Sequence, residues 1–441
     1  MIAFLRCRFW ACVFPLALAF TIFCVTGHTE AASITRSADV ASLASLKVYH
    51  SIPNFRLGGS YNLDDESSYE FGGQGGTTLE SLGQQPLQIG YIAVGKPKKN
   101  DRGEIVNAVV INCHYSGGST SMYNFWYDGQ PGNDFSQGAV VGPGKLIDTN
   151  EYFVVFVDAL GLWGTAKPSA GLGLKFPQYS NFDLVQASYR VLKDELNVAE
   201  VQLATGVSMG GTQTYTWGVL HPDYVKAIMP IGGTTQSDGE DPVQAWLFQL
   251  MTAAMKSDPV WRETKGDYYD LPKAKHPNRG VAFGWSILGH TGFTFDFRAS
   301  QPWDQLKQEV FYWDPKGEES AAQMKKAEAF DAIDLIYRNN AGSVFNINKE
   351  LHRITARTLV IHVKTDLWLN YQLAEAAVAK IDGARLLGFS SPIAHYAVFQ
   401  APNLLNNDIK AFMEGKTWVA AAAESAGTPV KAEKTKGAFS K

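Results

Sequence analysis

After Val25 the 441-residue chain has no second long apolar run, and after Cys24 it has a single cysteine, Cys113. A chain relieved of its first residues therefore cannot form an intrachain disulfide, and its stability must come from a large core. Cys113 ends the apolar run Val109-Val110-Ile111-Asn112-Cys113, where a thiol is expected to be buried and inert. Basic excess is also absent: 39 Lys and Arg stand against 43 Asp and Glu, for a net charge of −4. Neither nucleic acid nor an anionic membrane surface is an expected partner of such a chain. No two histidines have helical ligand spacing and no Gly-x-Gly-x-x-Gly follows a strand-like run, so neither a metal nor another cofactor is expected. A small-molecule substrate handled by ordinary side chains remains.

The beginning of the chain reads as an export signal covering residues 1–31. Arg6 and Arg8 precede the nearly apolar stretch Phe9 to Val25, and the small residues Gly27, Ala31 and Ala32 suit cleavage. A stop-transfer helix is the competing reading. The mature protein is expected to be soluble and periplasmic or secreted, without stable insertion in the membrane; its oligomeric state is not legible.

Residues 32–85 form a polar, Gly-rich extension, with Gly72-Gly73-Gln74-Gly75-Gly76 expected as a flexible turn. From residue 86 strand-like runs alternate with helical spacing: strands at Leu87–Val94, Ala108–His114, Tyr152–Ala159, Val201–Thr205 and Lys226–Ile231, helices at Phe182–Leu196 and Thr212–Leu220. This pattern predicts an α/β fold with a mostly parallel sheet covered by helices on both faces. It breaks after residue 234 and resumes at residue 351, with strands at Thr358–Val363 and Ala384–Phe389 around a helix at Leu373–Ile381. The intervening block, 235–350, is helical and rich in aromatics, including Trp246, Trp261, Trp285, Phe293, Phe297, Trp303 and Trp313. It is expected to be a helical cap inserted between the two parts of the core (86–234 and 351–415), whereas residues 416–441 lack an apolar face and are expected to be a disordered tail.

The densest local signal is Gly206-Val207-Ser208-Met209-Gly210, placed between a strand-like and a helix-like run. In a nucleophile elbow the serine sits on a sharp strand-to-helix turn, and a side chain at either flanking glycine would collide with neighbouring backbone. A serine hydroxyl attacks at neutral pH only when a base takes its proton and an acid orients that base. The α/β-hydrolase order of serine, acid and histidine is met by Ser208, Asp366 just past the strand Thr358–Val363, and His395 after the last strand. Asp241 and Asp382 are rival acids. In His114-Tyr115-Ser116-Gly117-Gly118 the N–H of Ser116 is expected to join that of Met209 in an oxyanion hole. His221, in a helix-to-strand loop, is expected at the surface; His362, inside a strand, is expected in the core or behind the acid. His290 in the cap either touches substrate or packs.

These segments, with Asn107-Ala108-Val109-Val110, Gly142-Pro143-Gly144-Lys145, Phe330-Asp331-Ala332-Ile333-Asp334 and Thr358-Leu359-Val360-Ile361, resemble the homoserine O-acetyltransferase branch of the α/β-hydrolase superfamily from about Pro86 to Asn403. The resemblance implies the α/β-hydrolase fold with a helical cap, and an acyl-enzyme on Ser208 served by Asp366 and His395. Two departures concern substrate. Tyr396 stands after His395 where these transferases usually carry an Asp, and Ser286 aligns with a cap arginine associated with the substrate carboxylate. Homoserine would leave its charges poorly paired there, which is costly when buried. Export also separates the protein from acyl-coenzyme A. The expected function is therefore hydrolysis of a carboxylic ester or related acyl bond; acyl transfer to a small acceptor is the alternative, and an inactive protein binding an apolar ligand the third reading.

Overall fold

A computed structural model describes residues 45–238, 243–301 and 319–416. The expectations for the export signal, Asp241, Trp303, Trp313 and nearly all of the tail fall outside these residues. Among the described residues the central sheet has eight strands: β1 (Val48–Ile52), β2 (Leu87–Val94), β3 (Ala108–Asn112), β4 (Phe153–Val157), β5 (Val201–Val207), β6 (Ala227–Ile231), β7 (Arg357–Val363) and β8 (Arg385–Phe389). Their order across the sheet is β1-β2-β4-β3-β5-β6-β7-β8. β2 runs antiparallel to both β1 and β4, and every pair from β4 to β8 is parallel. The chain has the α/β-hydrolase fold.

The central strands form because their side chains are apolar, often β-branched, and covered on both faces: β3, β4 and β6 are buried at every position. Helices α1 (Ser119–Trp126), α2 (Asn181–Arg190) and α3 (Met209–Leu220) follow β3, β4 and β5. α2 starts at a capping box in which the Ser180 hydroxyl and the Asp183 carboxylate satisfy each other's backbone N–H. It ends in a π-helical turn, Val191–Glu195, within the segment expected to be one helix.

Between β6 and β7 the described residues form helices α4 (Val243–Ser257), α5 (Pro259–Thr264), α6 (Asn278–Thr291), α7 (Phe295–Ala299), α8 (Ala321–Ala327) and α9 (Ala332–Ser343). α9 ties this insertion to the loops after β3 and β4. Asp334 accepts from the Ser169 N–H and hydroxyl at 2.8 and 2.7 Å, and the Tyr337 hydroxyl donates to Phe176 O at 2.8 Å. α10 (Tyr371–Val378) connects β7 to β8.

The segment before β2 differs from expectation. It supplies the edge strand β1, and its glycines are sites of close backbone approach rather than flexible links. A Cβ on Gly73 would stand 2.5 Å from the carbonyl carbon of Gly59, and one on Gly59 would meet Gly73 O at 2.2 Å. The same segment covers His221, which is buried and not at the surface. Its Nδ1 lies 2.7 Å from Glu66 Oε1, its Nε2 lies 2.9 Å from Gln186 Oε1, and its ring stacks on Tyr189. Glu66 belongs to the stretch that read in sequence only as a polar, Gly-rich extension.

Candidate active site

β5 ends at Val207 and α3 begins at Met209, so Ser208 is the single residue between strand and helix. The helix starts three residues earlier than its spacing predicted, and the turn is correspondingly abrupt. Ser208 has φ 58° and ψ −122°, a region that costs a non-glycine residue of order 1–3 kcal/mol. Its N–H donates to Ile231 O at 2.9 Å, which fixes the turn against β6. The flanking glycines are there because the backbone of β3 is adjacent: a Cβ on Gly206 would meet Asn112 O at 2.7 Å, and one on Gly210 at 2.5 Å.

Asp366 follows β7 and is buried. Its Oδ1 accepts the N–H groups of Trp368 at 2.8 Å and Leu369 at 3.1 Å, leaving Oδ2 directed at His395. Burial opposes ionisation of this carboxyl. The charge and hydrogen bond of His395 and the Leu369 N–H outweigh that penalty and hold it below the usual carboxylate range. His395 lies in a 3-10 helix after β8, preceded by Ala394 with φ 44°. Its Nδ1 is 2.6 Å from Asp366 Oδ2 and its Nε2 is 2.8 Å from the Ser208 hydroxyl. An ionised carboxylate can only accept, so Nδ1 carries the proton and Nε2 is left as the acceptor for Ser208. The three residues singled out in sequence thus form one hydrogen-bonded relay at the carboxyl ends of β5, β7 and β8.

The loop after β3 lies beside this relay and is immobilised from several sides. The Ser119 N–H donates to Asp158 Oδ1 at 2.6 Å, and Lys47 pairs with the other oxygen of the same carboxylate at 2.5 Å. Trp163 Nε1 donates to Ser116 O at 2.6 Å. Tyr115 stacks on Phe248 of α4 and donates to Asn339 Oδ1 of α9 at 2.5 Å. A small cavity is lined by Tyr115, Met209, Thr212, Phe248, Arg338 and Phe345, among others.

Of the other histidines, His114 is buried near His395. Burial, with the charges of Arg338 and His395, pushes it down to about 3, which leaves it neutral. His362 is buried in β7 and also lowered, by burial first. Asp382 is exposed in the turn before β8. Cys113 is buried and pushed up to about 11 by burial, as an inert thiol should be.

The cap residues are placed differently. Ser286 turns its hydroxyl back to Ala282 O at 3.0 Å within α6, and His290 has Arg298 Nη1 2.8 Å from its Nδ1. Tyr396 stacks on Phe293 with ring centres 4.5 Å apart. Trp368, not anticipated from sequence, places its ring 4.5 Å from that of His395 and donates Nε1–H to the Thr291 hydroxyl at 2.8 Å. The signal for it was its position two residues after the acid.

No family model matches the chain. A "Probable acyltransferase" of Methanothermobacter thermautotrophicus is 26% identical over 77% of this chain and 92% of its own length. The "Homoserine O-acetyltransferase" of Desulfotalea psychrophila is 26% identical over 75% of this chain and 88% of its own. Among solved structures, an acetylester hydrolase from Corynebacterium glutamicum superposes with a TM-score of 0.65 at 20% identity, over 85% of this chain and 97% of the other. The chain has the α/β-hydrolase fold and is similar to the homoserine O-acetyltransferase-like branch of that superfamily. The sequence relatives bear the names of acyltransferases and the structural neighbours include an ester hydrolase, so the likeness is to proteins of acyl chemistry and leaves the acceptor open.

Proposed function

We propose that the protein is an exported serine hydrolase that cleaves a carboxylic ester through an acyl-enzyme on Ser208. The observation that carries this reading is the continuous relay from Asp366 through His395 to the Ser208 hydroxyl, at 2.6 and 2.8 Å. His395 Nε2 takes the hydroxyl proton as Oγ bonds to the ester carbonyl carbon. The carbonyl oxygen becomes an oxyanion held by the N–H groups of Met209 and Ser116. Collapse of that intermediate expels the alkoxide, which receives the proton from His395. Water then repeats the sequence at the acyl-enzyme, giving up a proton to His395 and releasing the acid and free Ser208.

Water is favoured over an amino-acid acceptor by the surroundings of His395. Tyr396, Phe293 and Trp368 form an aromatic wall where a charged acceptor would need counter-charges. Ser286, aligned with the transferases' cap arginine, is neutral and bonded within its own helix. The export signal adds that acyl-coenzyme A would be scarce where the protein works. Acyl transfer is favoured by one observation, the names of the relatives. Purified protein supplied with acetyl-coenzyme A and homoserine, beside a panel of esters of graded acyl length, separates the two. Ester hydrolysis with negligible O-acetylhomoserine is expected; O-acetylhomoserine formed with kcat/KM of about 10⁴ M⁻¹s⁻¹ or more, as ordinary metabolic enzymes show, makes it a transferase.

A further inference from the structure

We infer that Arg338, on the last helix of the insertion, is a positioning residue for the oxyanion hole, acting with Trp163 to fix the peptide planes on either side of Ser116. The inference rests on the acyl-enzyme reading above. Arg338 is only 2% exposed, yet its guanidinium serves three backbone carbonyls: Nη1 donates to Tyr115 O at 2.5 Å, and Nη2 to Ala159 O at 3.0 Å and Leu160 O at 2.6 Å. A buried arginine would ordinarily be spent on a carboxylate. Here it bridges the loops after β3 and β4 instead.

The consequence for Ser116 follows from peptide geometry. In a planar trans peptide the C=O and the next N–H point in opposite directions. Drawing Tyr115 O towards α9 turns the Ser116 N–H away from α9, and the inference pairs it there with the N–H of Met209 at the start of α3. The following peptide is fixed in the same way, because Ser116 O receives the Trp163 indole N–H at 2.6 Å. Trp163 itself holds φ 53°, an unfavourable value for a bulky residue. Strain of this kind persists where the surroundings impose it, and it clusters at functional sites. Ser208 and Ala394, which precede Met209 and His395, are strained as well.

An oxyanion hole works because its donors need no reorganisation when charge develops. Lysine at 338 retains the positive charge but loses the planar fork, so it cannot hold both loops at once. The test compares Arg338→Lys, Trp163→Phe and the wild type on a p-nitrophenyl ester and on its thionoester, whose C=S accepts hydrogen bonds poorly. Folded enzyme is counted by fluorophosphonate titration of Ser208. Arg338→Lys is expected to lower kcat about 10²-fold with KM little changed, the loss typical of one oxyanion donor. The oxoester-to-thionoester rate ratio should collapse by a similar factor, which a general loosening of the fold would not produce. Trp163→Phe should shift the ratio in the same direction, and it decides alone if Arg338→Lys does not fold. Unchanged ratios in the folded variants overturn the positioning role while leaving Ser208 chemistry standing. A wild type whose Ser208 takes up no fluorophosphonate overturns the acyl-enzyme reading and this inference with it.

Discussion

Tyr396 stacks on Phe293 at 4.5 Å, joining the residue that follows the candidate base to the helical insertion. A ring held in this way presents an uncharged face and offers the carboxylate of an amino-acid acceptor no counter-charge. Replacing Tyr396 with alanine should raise KM for medium-chain or aromatic esters about 10-fold, the equivalent of part of one ring's burial, and change kcat less. Steady-state kinetics on an ester series checks this. An unchanged KM across the series would remove Tyr396 from the substrate site.

The relay makes a second prediction. Asp366→Asn should lower kcat about 10³- to 10⁴-fold, because an amide disturbs the Nδ1–H tautomer that leaves Nε2 free for Ser208. His395→Ala should cost as much or more, and adding either change to Ser208→Ala should cost nothing further, since the three groups act as a unit. Asp382→Asn, at an exposed turn, should be silent. A near-normal Asp366→Asn enzyme would show that the acid lies elsewhere.

Three buried imidazoles weaken the fold on acidification, while the carboxyls of Asp158, Asp183 and Asp334, raised by burial, act in the opposite direction. Burial lowers His114, His221 and His362, the first to about 3. Unfolded histidine binds a proton near pH 6.5, so below that value the unfolded state holds more protons than the folded one. The histidine contribution should therefore be intact above about pH 6.5 and fall as the pH drops from there towards 3. Thermal melts across pH 7 to 4 should show Tm falling less, or rising more, on acidification in His114→Gln than in the wild type. A pH dependence of Tm in His114→Gln identical to that of the wild type contradicts a neutral, buried His114.

Much of the molecule was legible in sequence, for physical reasons. Strands such as Ala108–Asn112 and Phe153–Val157 are buried on both faces, so they read as short unbroken apolar runs. Ser208 was legible because its turn demands glycine at positions 206 and 210, and Asp366 and His395 because each follows a strand. Contacts between distant segments left no local trace. His221 looked exposed because the residues that bury it, among them Glu66 and Gln186, lie far away in the chain. Arg338 sits among polar residues on a helix, and nothing local shows that it reaches Tyr115 O, more than two hundred residues earlier. The glycines at 59 and 73 read as flexibility because sequence does not reveal that each is the other's close neighbour.

That last contact predicts a stability effect distant from the chemistry. Gly73→Val places a branched side chain against Gly59 backbone, and neither partner has a flexible end that could yield. Urea denaturation should show a loss of about 2 kcal/mol or more. A Gly73→Val variant as stable as the wild type would mean that the segment before β2 is loosely attached.

The acyl-enzyme on Ser208 is best tested by rapid quench. Enzyme mixed with p-nitrophenyl acetate, without coenzyme A, is stopped at successive times, digested, and its Ser208 peptide weighed. One acetyl group should accumulate on that peptide in a burst and then leave as free acetate at the rate of turnover, with water as the only acceptor present. Acetyl absent from Ser208, or acetyl that persists in water and departs only when homoserine is added, would contradict the hydrolase account.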